Sequence, residues 1–141
     1  ETLPKDPCGE VEARDIGAAN TLMVRNLPPE CTMSDLLEDW PIDGSFDFLY
    51  LPMSTGGRYA LGYLFINFVS ASHAQAFISR WQGQRLSHSH QGRRLRFAES
   101  EVQGLTANVM KLRAKPEGRL RSCHCTPVII KDGRLVSLRD F

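Results

Sequence analysis

The run LGYLFINFV at residues 61–69 constrains the fold more than any other stretch of the chain. It is short, aromatic and aliphatic throughout, and reads as a β-strand. Successive side chains of a strand point to opposite faces. Gly62, Leu64, Ile66 and Phe68 therefore share one face and are expected to meet a packed layer. Leu61, Tyr63, Phe65 and Asn67 share the other. Two aromatics two residues apart on an open face are costly in water unless something covers them.

The rest of the chain supplies partners for that strand. Residues 21–27 alternate with apolar Leu22 and Val24 and stop at Pro28-Pro29, a first strand. Thr32 or Ser34 can cap a helix, and Thr32 with Asp35 resembles a capping box. Behind it Met33, Leu36, Leu37 and Trp40 form one helical stripe, closed by Pro41 and Gly44. FDFLYLP (46–52) reads as a strand whose facing parity the sequence does not fix, and residues 54–60 as a turn. After the run at 61–69, Ser70 or Ser72 can cap a helix with Ala74, Phe77, Ile78 and Trp81 on one side. Residues 82–92 read as a polar loop and 93–100 as a fourth strand. The order β-α-β-β-α-β predicts an α+β, ferredoxin-like sandwich: a four-stranded antiparallel sheet with two helices on one face. The added elements are a helix over 101–115, carrying Val102, Leu105, Val109 and Leu112, and a hairpin about Asp132-Gly133 within 116–141. Residues 1–20, with two prolines and no sustained period, read as a flexible leader to a domain at 21–100.

Charge separates along this chain. Residues 1–50 hold three Lys/Arg against eleven Asp/Glu, whereas residues 84–121 hold nine against three, although the net charge is only +1. Such asymmetry can gather one basic face on a nearly neutral molecule. No apolar run approaches the roughly 20 residues of a membrane span, so no membrane partner is expected. The first residues have neither the basic start nor the apolar stretch of a signal peptide. Cys8, Cys31, Cys123 and Cys125 lack the spacings of a disulfide framework, which points to reduced thiols and to the nucleus or cytoplasm.

On the open face, Tyr63 and Phe65 would lie about 7 Å apart, a spacing that suits the stacking of successive bases. LGYLFINF resembles the octamer of the RNA recognition motif (RRM), and LMVRNL (22–27) resembles its companion hexamer. TLMVRNLPPECT, FDFLYLP and GYLFINFVS are further similar to the C-terminal RRM of the Mei-two-like family of meiotic RNA-binding proteins. That similarity runs through Gln103-Gly104 to Cys125-Thr126-Pro127, roughly residues 20–131. The resemblance implies single-stranded RNA as partner and regulation of RNA fate, after transcription. Tyr63 and Phe65 would stack bases, Met23, Asn26 and Asn67 would complete the platform, and Tyr50 would add an aromatic. Arg25, Arg58, Arg94 and Arg96 would engage phosphates or base edges. Three positions depart from the motif. Leu61 stands where a basic residue is usual, Leu64 fills a small-residue slot, and Met23 replaces an aromatic.

Two readings of the C-terminal helix stay open. Lys111 and Arg113, with Lys115, Arg119 and Arg121 beyond them, would extend a phosphate track past the sheet. Alternatively, its apolar stripe would pack on the open face and occlude it. The departures at Leu61, Leu64 and Met23 motivate a second functional class, an RRM-fold module that binds a protein through this helix or the helical face. An enzyme is not expected, because no nucleophile and base are placed together. Cys123, His124 and Cys125, with His88 and His90, lack the paired, separated spacing of a zinc site, and no metal or cofactor is expected. Gly56-Gly57 reads as a turn rather than a phosphate loop.

Overall fold

A computed structural model describes residues 18–54, 56–88, 93–114 and 126–141. Within them the chain runs β1 (Thr21–Arg25), α1 (Met33–Asp39), β2 (Phe46–Tyr50), β3 (Tyr63–Phe68), α2 (Ala71–Trp81), β4 (Arg96–Glu99), α3 (Leu105–Arg113), β5 (Val128–Lys131) and β6 (Arg134–Val136). Of the leader expected at 1–20, residues 1–17 lie outside the described residues, as do His90, Lys115, Arg119, Arg121 and the Cys123–Cys125 segment. Its end is not loose: Ala19 is buried, and Asn20 donates to the Phe68 carbonyl and to the Gln103 side chain.

Local chemistry sets the element ends. The Thr32 hydroxyl accepts from the Asp35 amide at 3.1 Å while the Asp35 carboxylate accepts from the Thr32 amide, completing the capping box of α1. Ser70 caps α2 through the His73 amide. β3 starts at Tyr63 rather than Leu61 because Gly62 has φ +101°, a conformation that favours glycine. The Gly62 carbonyl accepts from the Leu27 amide across the resulting turn. β4 likewise begins at Arg96, later than its sequence pattern indicates.

The sheet has the order β4-β1-β3-β2-β5-β6, with every named pairing antiparallel. The four expected strands form its first part. The hairpin is not a separate appendage: β5 pairs with β2, and β6 continues beside it. An unpaired β2 would present a row of open backbone groups, and the hairpin covers that edge. Asp132 and Gly133 take the positive φ that its two-residue turn demands.

Two apolar layers hold the sheet. Under α1 and α2 lie Leu22, Val24, Leu49, Leu64, Ile66, Phe68 and Phe97, all fully buried. Trp40 meets Phe77 edge-on at 5.0 Å and Trp81 at 5.8 Å, which locks the two helices together. The second layer lies on the opposite face, where α3 sets Val109 and Leu112 against Phe48, Tyr50 and Ile129. Val102, assigned to the same stripe, precedes the helix. Ile129 is fully buried between α3 and the sheet. Ile129→Ala is therefore expected to destabilise the protein by about 2–5 kcal/mol in urea unfolding, and to raise hydrogen exchange in α3 as well as in the hairpin.

Candidate functional site

The face opposite α1 and α2 is ordered by strand register into three rows. The first is Tyr63, Arg25 and Arg96, each the cross-strand neighbour of the next. The second is Tyr50, Phe65, Met23 and Ala98. The third is Val136, Ile129, Phe48, Asn67 and Thr21. A β-bulge between Phe46 and Phe48 turns Phe48 and Tyr50 to this face while Phe46 stays in the core.

α3 divides the face. Ile129, Phe48, Asn67 and Thr21 are buried, and so is Tyr50 at the β2 end of the second row. Tyr63, Arg25, Arg96, Phe65, Met23 and Ala98 remain partly exposed. The Tyr63 and Phe65 rings are 5.7 Å apart and nearly perpendicular. Arg25 donates to the Met23 sulfur at 3.5 Å, which holds the thioether beside the rings. Arg25 and Arg96 stand directly opposite one another across β1 and β4.

The expected site residues thus separate into groups. Met23, Arg25, Tyr63, Phe65 and Arg96 come together on the accessible rows. Tyr50 and Asn67, expected on the accessible platform, are not on it: they are 6% and 3% exposed. Tyr50 is packed under α3, and Asn67 is committed to a buried polar chain. Arg94, expected on the open side, turns instead to the end of α2, where its guanidinium donates to the Gly83 carbonyl at 2.9 Å. Asn26, at φ +71°, donates to the Arg94 carbonyl and ties the end of β1 to the approach of β4. Arg58 is exposed in the β2–β3 turn, and Lys111 and Arg113 are exposed on α3. The Gly57 amide donates to the Ser54 carbonyl, the tight turn read from the sequence.

A buried hydrogen-bond chain fixes α3 on the face. Asn108 donates to the Thr21 hydroxyl at 3.2 Å, Thr21 donates to the Asn67 carbonyl oxygen at 2.5 Å, and Asn67 donates to the Asp47 carboxylate at 2.8 Å. The Gln103 side chain adds a clasp. Its oxygen accepts from the Asn20 and Thr21 amides, and its nitrogen donates to the Thr21 and Ser100 carbonyls. Sequence reasoning did not single out Gln103 or Asn108 by role. The signal for Asn108 was present, because it stands at the i+3 position of the stripe Leu105, Val109, Leu112, a polar residue in an apolar face.

Away from this face, burial pushes the Cys31 thiol up to about 12, with Asp35, Glu30 and Asp39 adding to the effect. Such a thiol is protonated and a poor nucleophile at neutral pH. His88 lies 3.0 Å from the Glu38 carboxylate on the α1 side.

Comparison with known proteins bears on the family and the fold. The family profile described as RNA recognition motif 2 matches residues 19–113. Protein MEI2-like 5 of Oryza sativa subsp. japonica is 32% identical over 91 residues, covering 63% of this chain and 11% of that protein. Protein MEI2-like 3 of Arabidopsis thaliana is 33% identical over 89 residues, covering 62% of this chain and 12% of that protein. The match thus spans about a tenth of the length of the curated relatives. Among solved structures, the N-terminal RNA binding domain from a hypothetical protein superposes with a TM-score of 0.50 at 22% identity, covering 72% of this chain and 94% of that chain. The latter likeness concerns the fold.

Desolvation raises the pKa of Asp47 above the ordinary aspartate value, against the lowering effect of the Asn67 hydrogen bond. A carboxyl raised in the folded state favours folding while protonated, and that contribution is lost as pH rises through the folded pKa. Asp47→Asn keeps the acceptor for Asn67 without the charge. Its stability relative to wild type, measured by urea unfolding across pH, is expected to increase from the aspartate range upward and to level off above the raised pKa of Asp47. A difference that is flat with pH would remove the role assigned to desolvation.

Proposed function

The chain belongs to the RNA recognition motif 2 family, and from that premise we propose that it is a non-enzymatic module that binds single-stranded RNA on the accessible rows of its sheet. The observation that carries this reading is the placement of Tyr63 and Phe65, partly exposed, beside the cross-strand pair Arg25 and Arg96. Rings without a hydrogen-bond code accept any base, and stacking contributes about 1–3 kcal/mol per base. Single strands suit such a surface because their bases can be splayed away from one another. Tyr63 and Phe65 each take one base, Met23 supports the second through its sulfur, and Arg25 and Arg96 hold the phosphate between. Sequence preference would come from groups at the edges of the rows. Arg58, exposed on the turn that leads into β3, would meet the strand beyond Tyr63.

The similarity to Mei-two-like proteins supports a regulatory role in the fate of bound transcripts, in the nucleus or cytoplasm. A protein-binding module is the competing reading. It rests on Leu61, which is 47% exposed where a phosphate-binding cation is usual, and on the third row being covered.

Titration of short homopolymer RNAs by fluorescence anisotropy separates the two. Phe65→Ala is expected to weaken binding at least tenfold with an unchanged far-UV spectrum, in line with the loss of about one stacked base. RNA binding that survives the substitution would end the stacking mechanism. Absence of RNA binding by the wild type at low salt, with a captured peptide partner, would favour the protein-binding reading.

A further inference from the structure

We infer that α3 is a fixed wall which confines RNA to the β4-β1-β3 part of the sheet and lends it one cation, Lys111, while Arg113 serves the hairpin instead. This rests on the RNA-binding reading above and specifies which part of the face that reading uses.

The wall is built to stay in place. Val109 and Leu112 are 0% and 4% exposed against Phe48, Tyr50 and Ile129. Lifting α3 would wet all five. It would also strip the Thr21 hydroxyl of Asn108 and of the Gly104 amide, which donates to it at 2.9 Å. Every hydrogen bond of that chain has its partner with α3 docked, so the docked state is the low-energy one. The third row is therefore unavailable to bases, and the stacking surface reduces to Tyr63 and Phe65.

The same contacts fix the rotation of α3 about its axis. Asn108 marks the flank that faces β1, because it donates to Thr21. Residues three apart on a helix share a flank, within about 60°, so Lys111 lies on the β1 flank, one turn further along. Arg113 is about 140° round from Asn108 and lies on the other side. There its guanidinium donates to the Arg139 carbonyl at 2.8 Å, beyond the hairpin. Two exposed cations two residues apart in sequence thus serve different neighbours. Lys111 overlooks the strip that holds Phe65 and Met23, where the backbone of a strand stacked on Phe65 must pass. A flexible ammonium at the foot of a wall is suited to a phosphate whose position varies with the base stacked beneath it.

The test measures affinity for a single-stranded homopolymer RNA at about 50 mM and about 200 mM salt for wild type, Lys111→Gln, Arg113→Gln and Phe65→Ala. One phosphate contact on a single strand contributes roughly 0.7 to the slope of log affinity against log salt. Lys111→Gln is expected to lower that slope by about this amount, so that its deficit shrinks about 2.5-fold between the two salts. Arg113→Gln is expected to leave slope and affinity at the wild-type values. Equal losses in both variants would overturn the inference, since they would report a diffuse field and not a placed contact. A loss confined to Arg113→Gln, or an unchanged slope in Lys111→Gln, would also overturn it. Phe65→Ala distinguishes the levels: if it weakens binding while Lys111→Gln does not, only the wall's cation is wrong. If the wild type binds no RNA, both proposals fall.

Discussion

The buried hydroxyl of Thr21 is the point on which the architecture turns. A hydroxyl removed from water must be matched on its donor and acceptor sides or it costs about 1–3 kcal/mol. Here it donates to Asn67 and accepts from Asn108 and the Gly104 amide. Those three partners come from β3, from α3 and from the residue that caps α3. Satisfying one oxygen therefore brings the C-terminal helix onto the sheet in a single orientation, and the apolar contacts of Val109 and Leu112 follow. Hydrophobic burial contributes more energy, but it is not directional. The polar chain sets the position.

Much of this was legible from periodicity. The parity of residues 61–69 correctly separates Leu64, Ile66 and Phe68 from Tyr63 and Phe65, and the stripes of α1 and α2 name their core residues. Parity fails for FDFLYLP because the bulge after Phe46 adds a residue without advancing the ladder. For Asn67 the facing direction is right and the environment is not, since its cover comes from a helix some forty residues later in the chain. The two readings of α3 could not be separated along the sequence. Its apolar stripe and its cations lie on different sides of one helix, so the stripe packs on the sheet while Arg113 turns to the Arg139 carbonyl. Arg94 is drawn off the face by a carbonyl at the end of α2, which favours a cation there.

Charge does not divide as cleanly as apolarity does. Asp35, Glu38 and Asp39 belong to α1, on the helical side, but Arg80 belongs to α2 and the Arg94 guanidinium reaches the Gly83 carbonyl just beyond it. Arg25 and Arg96 lie on the opposite side of the sheet.

The stretch from Ser100 to Gly104 that joins β4 to α3 works as a ruler. Gln103 pins it to β1, and Gly104 with φ +96° turns it into the helix. Each residue of a helix advances it by about 100°, so the length of this joint decides which side chains look down. One residue more would bring Ala107 over Thr21 and drop Lys111 into the apolar slot that Leu112 fills. The pitch of a helix thus makes the count of residues in a short connector as binding on this surface as the identity of any side chain within it.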